Sequence, residues 1–356
     1  MRLHSSALFA LIFATLGLWA ADITGQGKPS YALPRTPWGD PDLQGTYTNK
    51  YEQSTPLERP DEFAGRRVED VSGAELADVL AKRNKQVVDR AAGVGPLQFR
   101  DPLEVTKGSR AWLIVDPPDG RVPPMTPAAR QRIGPSDPFQ DTGIQGIVNA
   151  RVREASSFDP NSSFRSIDDF DLWERCITRG VPGAMMPHIL GNSYEIVQAP
   201  GLVAIRYELV HDVRVIPLDP STRSGSSRAE SRDDGRPHLP GAIELEMGAA
   251  RGHWDGNTLV VESTNYKDRS TYRNANAATL RLTERFTRAS ANRIEWSVTV
   301  NDPATWTKPW TFSMPLTKID TEPVLEFACH EGNYALPHIL SGARAAEASA
   351  QSTKQH

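Results

Sequence analysis

Cysteine is scarce: the 356 residues hold two, Cys176 and Cys329. No CxxC pair occurs, which sets redoxin-type thiol chemistry aside. Basic excess is missing as well, with 40 Lys and Arg against 44 Asp and Glu and a net charge of −4. Such a chain has no electrostatic footprint for nucleic acid, so nucleic acid is not expected as a partner. After Trp19 no apolar run approaches the roughly 20 residues that cross a bilayer, and no membrane span is expected. HExxH, GxSxG, Walker and GxGxxG arrangements are absent in any fitting context. Zincins, α/β-hydrolases and nucleotide enzymes are therefore not first choices. No HxH pair exists either, so a metal site would need distant segments; neither a metal nor a cofactor is assigned.

What is present begins with MRLHSSALFALIFATLGLWAA. Arg2 precedes an apolar run from Ala7 to Trp19, and the small residues Ala20 and Ala21 follow. This is the layout of a secretory signal peptide over residues 1–21, so the product is expected to be secreted or periplasmic. In an oxidising compartment the two cysteines read as one disulfide; two separate buried thiols are the alternative. Hydrophobic residues make up 38% of the chain, an ordinary value for a soluble globular protein. The 28 prolines argue for extended, turn-rich connections and against a helical bundle. Asn161-Ser162-Ser163 fits a glycosylation pattern but reads as a loop.

The expected organisation after the leader is an extended arm with helical and hairpin elements over 22–175, a barrel-like domain over 176–342, and a frayed or disordered tail over 343–356. In the arm, Gly45–Asn49 reads as a short strand. Ser72 to Ala92 reads as a helix with a Ser72/Glu75 capping box. Ala111–Val122 reads as a hairpin around Pro117–Gly120. Pro127–Arg132 reads as a second helix with Thr126 as N-cap. From Tyr194 onward, eight or nine short strands alternate with turns, including an Asp255-Gly256 hairpin signal. VLEFAC (Val324–Cys329) is the last of these runs, and a polar insert over Ser221–Gly241 interrupts them. The pattern predicts a mainly β fold: an antiparallel meander closing as an up-and-down, lipocalin-like barrel, with a β-sandwich as the runner-up.

Several longer motifs stand out: TPWGDPDLQGTYTN (Thr36–Asn49), RCITRGVPG (Arg175–Gly183), RGHWDGNTLVVESTNY (Arg251–Tyr266), DPATWTKPW (Asp302–Trp310), CHEGNY (Cys329–Tyr334) and ILSGAR (Ile339–Arg344). In these the chain resembles a large family of secreted, functionally uncharacterised bacterial proteins. The resemblance spans nearly the whole mature chain and implies an exported, single-unit protein. It carries over no activity and no catalytic residue.

Chemistry must then come from individual residues. Glu284 interrupts an apolar strand face formed by Leu280, Leu282 and Phe286. If that face lines a barrel interior, the carboxylate is desolvated and suits a general acid or base. A bulge, or a buried pair with an arginine such as Arg206, is the structural alternative. Glu208 and His211 sit near a strand end, where a barrel mouth would place them. The tetrapeptide PHIL occurs twice, carrying His188 and His338, each about ten residues after a cysteine. A disulfide would start both segments from one point, beside His330 and Glu331, as an acid–base cluster. Trp254, Trp296, Trp306 and Trp310 read as core or as pocket lining, and Trp254, Trp296 and Arg206 are the ligand-binding candidates. Three classes follow: an acid–base hydrolase, lyase or isomerase acting on a small organic molecule; a non-catalytic barrel binding a small apolar ligand; or an envelope structural protein. Oligomeric state is not legible.

Overall fold

Alternating polarity turns the second half of the chain into strands. In Arg293–Asn301, Ile294, Trp296, Val298 and Val300 are buried, while Arg293, Glu295, Ser297 and Thr299 take the other face. The computed structural model describes residues 31–91, 104–133, 166–167, 172–173, 175–188, 191–219, 243–268, 271–319 and 323–353. The expected leader, the insert over 221–241 and Asn161-Ser162-Ser163 lie outside these residues. Leu33–His356 forms one unit.

In chain order the elements are β1 (Gly45–Thr48), α1 (Gly73–Ala91), β2 (Ile114–Asp116), α2 (Pro127–Ile133), β3 (Ser193–Ala199), β4 (Leu202–Tyr207) and β5 (Val213–Pro217). Then come β6 (Ala249–Asp255), β7 (Thr258–Thr264), β8 (Arg281–Ser290), β9 (Arg293–Asn301), β10 (Trp310–Lys318) and α3 (Ala335–Thr353). The sheet order is β5-β4-β3-β1-β10-β9-β8-β7-β6, with β2 pairing β10 off this path. Every neighbouring pair is antiparallel. The result is a mainly β barrel that is nearly closed, as the strand spacing predicts. Two meanders, β3–β5 and β6–β10, are joined by β1, so the N-terminal arm supplies part of the barrel wall.

Strand parity decides how the wall can close. Nine strands in antiparallel succession leave β5 and β6 running the same way, so the closing contact must be parallel. It is: Leu218 bridges Gly252 in parallel, and the Asp219 N–H donates to the Gly252 carbonyl at 2.9 Å. Glycine lets the closing side chains approach closely there. A Cβ on Gly252 would sit 2.7 Å from Leu218 Cδ2 and 3.0 Å from Ile216 Cγ2.

Inside, Tyr47, Tyr194, Tyr207, Phe286, Trp296 and Phe312 are fully buried. Phe286 stacks on Trp296 at 6.2 Å, and Trp296 meets Phe312 edge-on at 5.6 Å. Each such ring contributes about 1.5–3 kcal/mol by burial. Val181, Ala184 and Met185, from the RCITRGVPG region, pack into the same core.

Local expectations fare unevenly. The Ala129 N–H donates to Thr126 Oγ1 at 3.1 Å, the cap read for α2. The β6–β7 hairpin forms as signalled but one residue on: its two-residue turn is Gly256–Asn257, with Asp255 paired to Thr258. Glu75, however, forks onto Arg66 at 2.5 and 2.8 Å instead of serving a capping box. A bidentate, charge-assisted pair outcompetes a single bond to a backbone N–H. The Pro117–Gly120 turn forms, yet only its first arm is a strand, because β2 pairs with β10. VLEFAC forms no strand: β10 already has β9 and β1 as partners, and Phe327 instead stacks on Trp173 at 6.0 Å. Residues 343–353 of the tail are the end of α3, which begins earlier than the expected boundary, at Ala335.

Cys176 and Cys329 are bonded, closing a separation of 153 residues. On the chain-entropy estimate this constrains the unfolded chain by about 4–5 kcal/mol. Cys176→Ala/Cys329→Ala should therefore lose stability of that order in chemical denaturation, and unreduced wild type should label no free thiol. A double variant as stable as wild type would show that the bridge contributes little.

Candidate functional site

Arg214 belongs to a run, Val213–Pro217, in which valine and isoleucine alternate with other residues. The structure turns Arg214 and Ile216 inward and leaves Val213 and Val215 outside, 47% and 54% exposed. An arginine therefore occupies an interior position and needs a counter-charge, since a lone buried ion is prohibitively desolvated. Glu284 supplies it. That residue points inward between Leu282 and Phe286, with no exposed surface. Arg214 Nη1 donates to Glu284 Oε2 at 2.5 Å, and the Trp296 indole N–H donates to Oε1 at 3.2 Å. Arg214 Nη2 donates to Ser263 Oγ at 2.5 Å. One side chain on β5 thus reaches β7 and β8 through the barrel interior.

Two tyrosines complete the cluster. Arg214 pairs across the ladder with Ile205, which makes the inward Tyr207 its diagonal neighbour. Tyr266 follows β7, and its ring lies where Gly248, at φ +70°, leaves space: a Cβ there would meet it at 2.6 Å. Both hydroxyls lie in the fields of Arg214 and Glu284; that of Tyr207 interacts with Arg214 and that of Tyr266 with Ser263, each short of full hydrogen-bond geometry. Arg214 Nε and Trp254 Nε1 are buried without a partner in the chain. Trp254 stands at the next inward position after Gly252, whose row runs through Val261 to Glu284.

Electrostatics follow from this enclosure. Burial works against the Arg214 charge, but Glu284 outweighs it and holds the guanidinium above its ordinary value. Burial also pushes the Tyr207 and Tyr266 phenols well above theirs, against the pull of Arg214. Tyr194 is raised by burial too, although its hydroxyl donates to Asn49 Oδ1 at 2.9 Å. Asn49 Nδ2 in turn donates to the Met185 carbonyl at 2.6 Å. A polar thread thus runs from the RCITRGVPG region into the core.

The other candidate residues are distributed elsewhere. Arg206 faces outward and pairs with Glu195 on the neighbouring strand, Nε to Oε2 at 2.9 Å. Glu208 Oε2 accepts from the Ser193 N–H at 3.0 Å, tying the start of β3 to the end of β4. His211 closes a single 3₁₀ turn, with φ +58°. His188 holds Asn192 through two 2.7 Å bonds and meets Trp173 edge-on at 5.8 Å. His338 lies exposed on α3 over Tyr334, and His330 and Glu331 are exposed beside the disulfide. Trp306 and Trp310 pack against each other at 5.7 Å. Among the described residues no group of three His, Cys, Asp or Glu could hold a metal ion.

Arg214, Ser263, Tyr207 and Tyr266 were not singled out from sequence. The signal was available in one form: a carboxylate on an inward face demands a cation on another inward face, and Arg214 is flanked by apolar residues. No protein-family model matches the chain, and no curated protein or solved structure matches it.

Two predictions follow from the cluster. Glu284→Gln strands a buried guanidinium and should destabilise by about 3–5 kcal/mol, while Glu284→Leu/Arg214→Met should recover most of that loss. Denaturant melts of wild type and both variants measure it; a wild-type midpoint for Glu284→Gln would mean that the pair holds nothing. The tyrosines give a pH test. A phenol with a raised folded-state value lends stability that is complete below its ordinary value near 10 and is lost as pH rises beyond it. At about pH 11 the native chain should therefore show a phenolate deficit in its near-ultraviolet absorbance, made good on unfolding. Full ionisation of all eight tyrosines in the folded protein would contradict the burial of these phenols.

Proposed function

We propose that the chain is an exported barrel that binds a small organic molecule in its interior, with the Arg214–Glu284 cluster as the polar end of the site. One observation carries this reading. Two buried nitrogens, Arg214 Nε and Trp254 Nε1, have no hydrogen bond within the protein, and the Tyr207 and Tyr266 hydroxyls make only weak contacts, to Arg214 and Ser263. A buried donor left unmade costs about 1–3 kcal/mol. Together these groups offer hydrogen bonds to something that is not protein. The flanking Phe286, Leu282, Ile216 and Val261 provide an apolar wall for the rest of a ligand.

Binding is favoured over acid–base catalysis by the state of Glu284. Both of its oxygens are engaged, one by Arg214 and one by Trp296, so neither is placed to take a proton from a substrate. The histidines do not enter the cluster. Export is supported by the leader pattern, by the motif resemblance and by the Cys176–Cys329 bond, which suits an oxidising compartment.

The test starts with the full chain purified from cells that export it. Native mass spectrometry should show a one-to-one non-covalent adduct. After the adduct is removed, compounds from a small-molecule library should raise the melting temperature and move the Trp254 indole resonance. No adduct, together with no compound that does either, would overturn the binding reading.

A further inference from the structure

We infer that the barrel opens sideways at the seam between β5 and β6, with Arg214 as the latch that holds it shut from inside. A barrel that binds nothing would open at the same place, and one that binds a small molecule would admit it there. The backbone of β5 gives the first indication. The Tyr207 N–H donates to the Asp212 carbonyl and the Leu218 N–H to the Gly201 carbonyl, each at 2.9 Å. In an antiparallel ladder such bonded pairs alternate with unbonded ones. Arg214 and Ile216 therefore turn their backbone groups to β4, while Val213, Val215 and Pro217 turn theirs toward β6. A ladder to β6 would draw its donors from those three residues. Pro217 has no N–H, and that of Val213 donates to Asp212 Oδ1 at 2.9 Å. β5 thus carries the devices of an edge strand on the side where the wall has to close. Among the described residues the outer side of the seam has the Leu218–Gly252 bridge and Arg251 against Asp219 at 3.7 Å. That ion pair is exposed and contributes little. The inner side has Arg214 on Glu284 and Ser263.

The rival place to open is the short ladder of β1 on β10, Tyr47 to Lys318 and Thr48 to Thr317. That join is stitched twice. The Ile114 N–H donates to the Leu57 carbonyl at 2.9 Å, and β2 pairs with β10, so the chain leaving β1 returns to the same neighbour. The β5–β6 seam has no second stitch of this kind among the described residues. Parting it leaves β3, β4 and β5 paired to one another, so they move as one flap. The latch skips β6 and fastens to β7 and β8, so the flap takes the guanidinium away from Glu284. Both ions then regain hydration, which offsets much of the lost pair. A dry apolar contact in the same place would have no such compensation.

Native-state hydrogen exchange on the full disulfide-bonded chain, followed by NMR at increasing denaturant, tests the seam. Three protons report. The Asp219 amide, bonded to the Gly252 carbonyl at 2.9 Å, reports the seam itself. The Trp296 indole N–H, fully buried against Glu284, reports water reaching the interior. The Ile319 amide, bonded to the Thr46 carbonyl at 2.8 Å, reports the β1–β10 join. Asp219 and the Trp296 indole should exchange through one shared opening, populated at least about tenfold above global unfolding, and Ile319 on global unfolding alone. Ser263→Ala removes one latch bond and strands no charge. It should speed both seam protons about fivefold, the effect of one lost hydrogen bond. Wild type alone decides where the barrel opens, even if the variant does not fold. Asp219 exchanging early while the Trp296 indole waits for global unfolding is fraying, and overturns the inference. So does Ile319 exchanging together with the seam protons, or all three exchanging on global unfolding. Seam protons that ignore Ser263→Ala would overturn the part assigned to the latch.

Discussion

The barrel depends on a closure that its own strand count makes difficult. Eight antiparallel steps across nine strands bring β5 and β6 together in the same direction, and among the described residues one backbone bridge, Leu218 to Gly252, joins them. A long antiparallel ladder cannot form at that position, so side chains must do what backbone bonds do elsewhere in the wall. Arg214 does this from the inside, running from β5 to Ser263 on β7 and Glu284 on β8. Because the pair is dry, its loss on one side is costly although its net contribution over an apolar pair is small. It is better understood as a device that fixes where β5 sits than as a source of raw stability.

The same logic explains why distant parts of the chain are tied together. β1 is short, yet it separates β3 from β10 and pairs with both. Without it the two meanders would present two free edges, each a template for association. Tyr47 on that strand is fully buried, and Asn49 just beyond it links Tyr194 to Met185. The segment after Cys176 therefore packs against the strand that joins the meanders. The disulfide to Cys329 fixes that segment's start to the stretch beyond β10, so one covalent bond limits how far the ends of the wall can separate.

Fold class was legible because alternation with period two is a strong signal and turns such as Asp255-Gly256 mark strand ends. Closure could be argued from edge avoidance, but not the insertion of β1, which pairs residues such as Tyr47 and Lys318 far apart in sequence. At the site, Glu284 was legible as an intruder on an apolar face. Its partner was not, because VRVIP contains apolar residues on both faces and valine is the more usual core residue. The structure reverses that preference and leaves the valines outside, since the closing strand needs the long, charged side chain inside. The histidines misled for a related reason: sequence proximity to a cysteine places a residue near the disulfide, but says nothing of which side of the wall it faces.

Closure alone does not account for the composition of the interior. To span from β5 to β8, Arg214 needs Nη1 and Nη2, and both are used; its Nε is surplus to that task. Tyr207 and Tyr266 are surplus as well, because phenylalanine would fill the same space and leave no hydroxyl to desolvate. Trp254 buries an indole N–H in the same part of the wall for no bond within the chain. Folding selects against each of these atoms, since an apolar equivalent of similar shape removes the penalty. The apolar core around them is well formed, with Phe286, Trp296 and Phe312 in contact, so poor packing is not the cause. Polar atoms that closure does not use, held beside a charge-neutral pair, are the feature of the interior that supports the proposed binding of a small molecule.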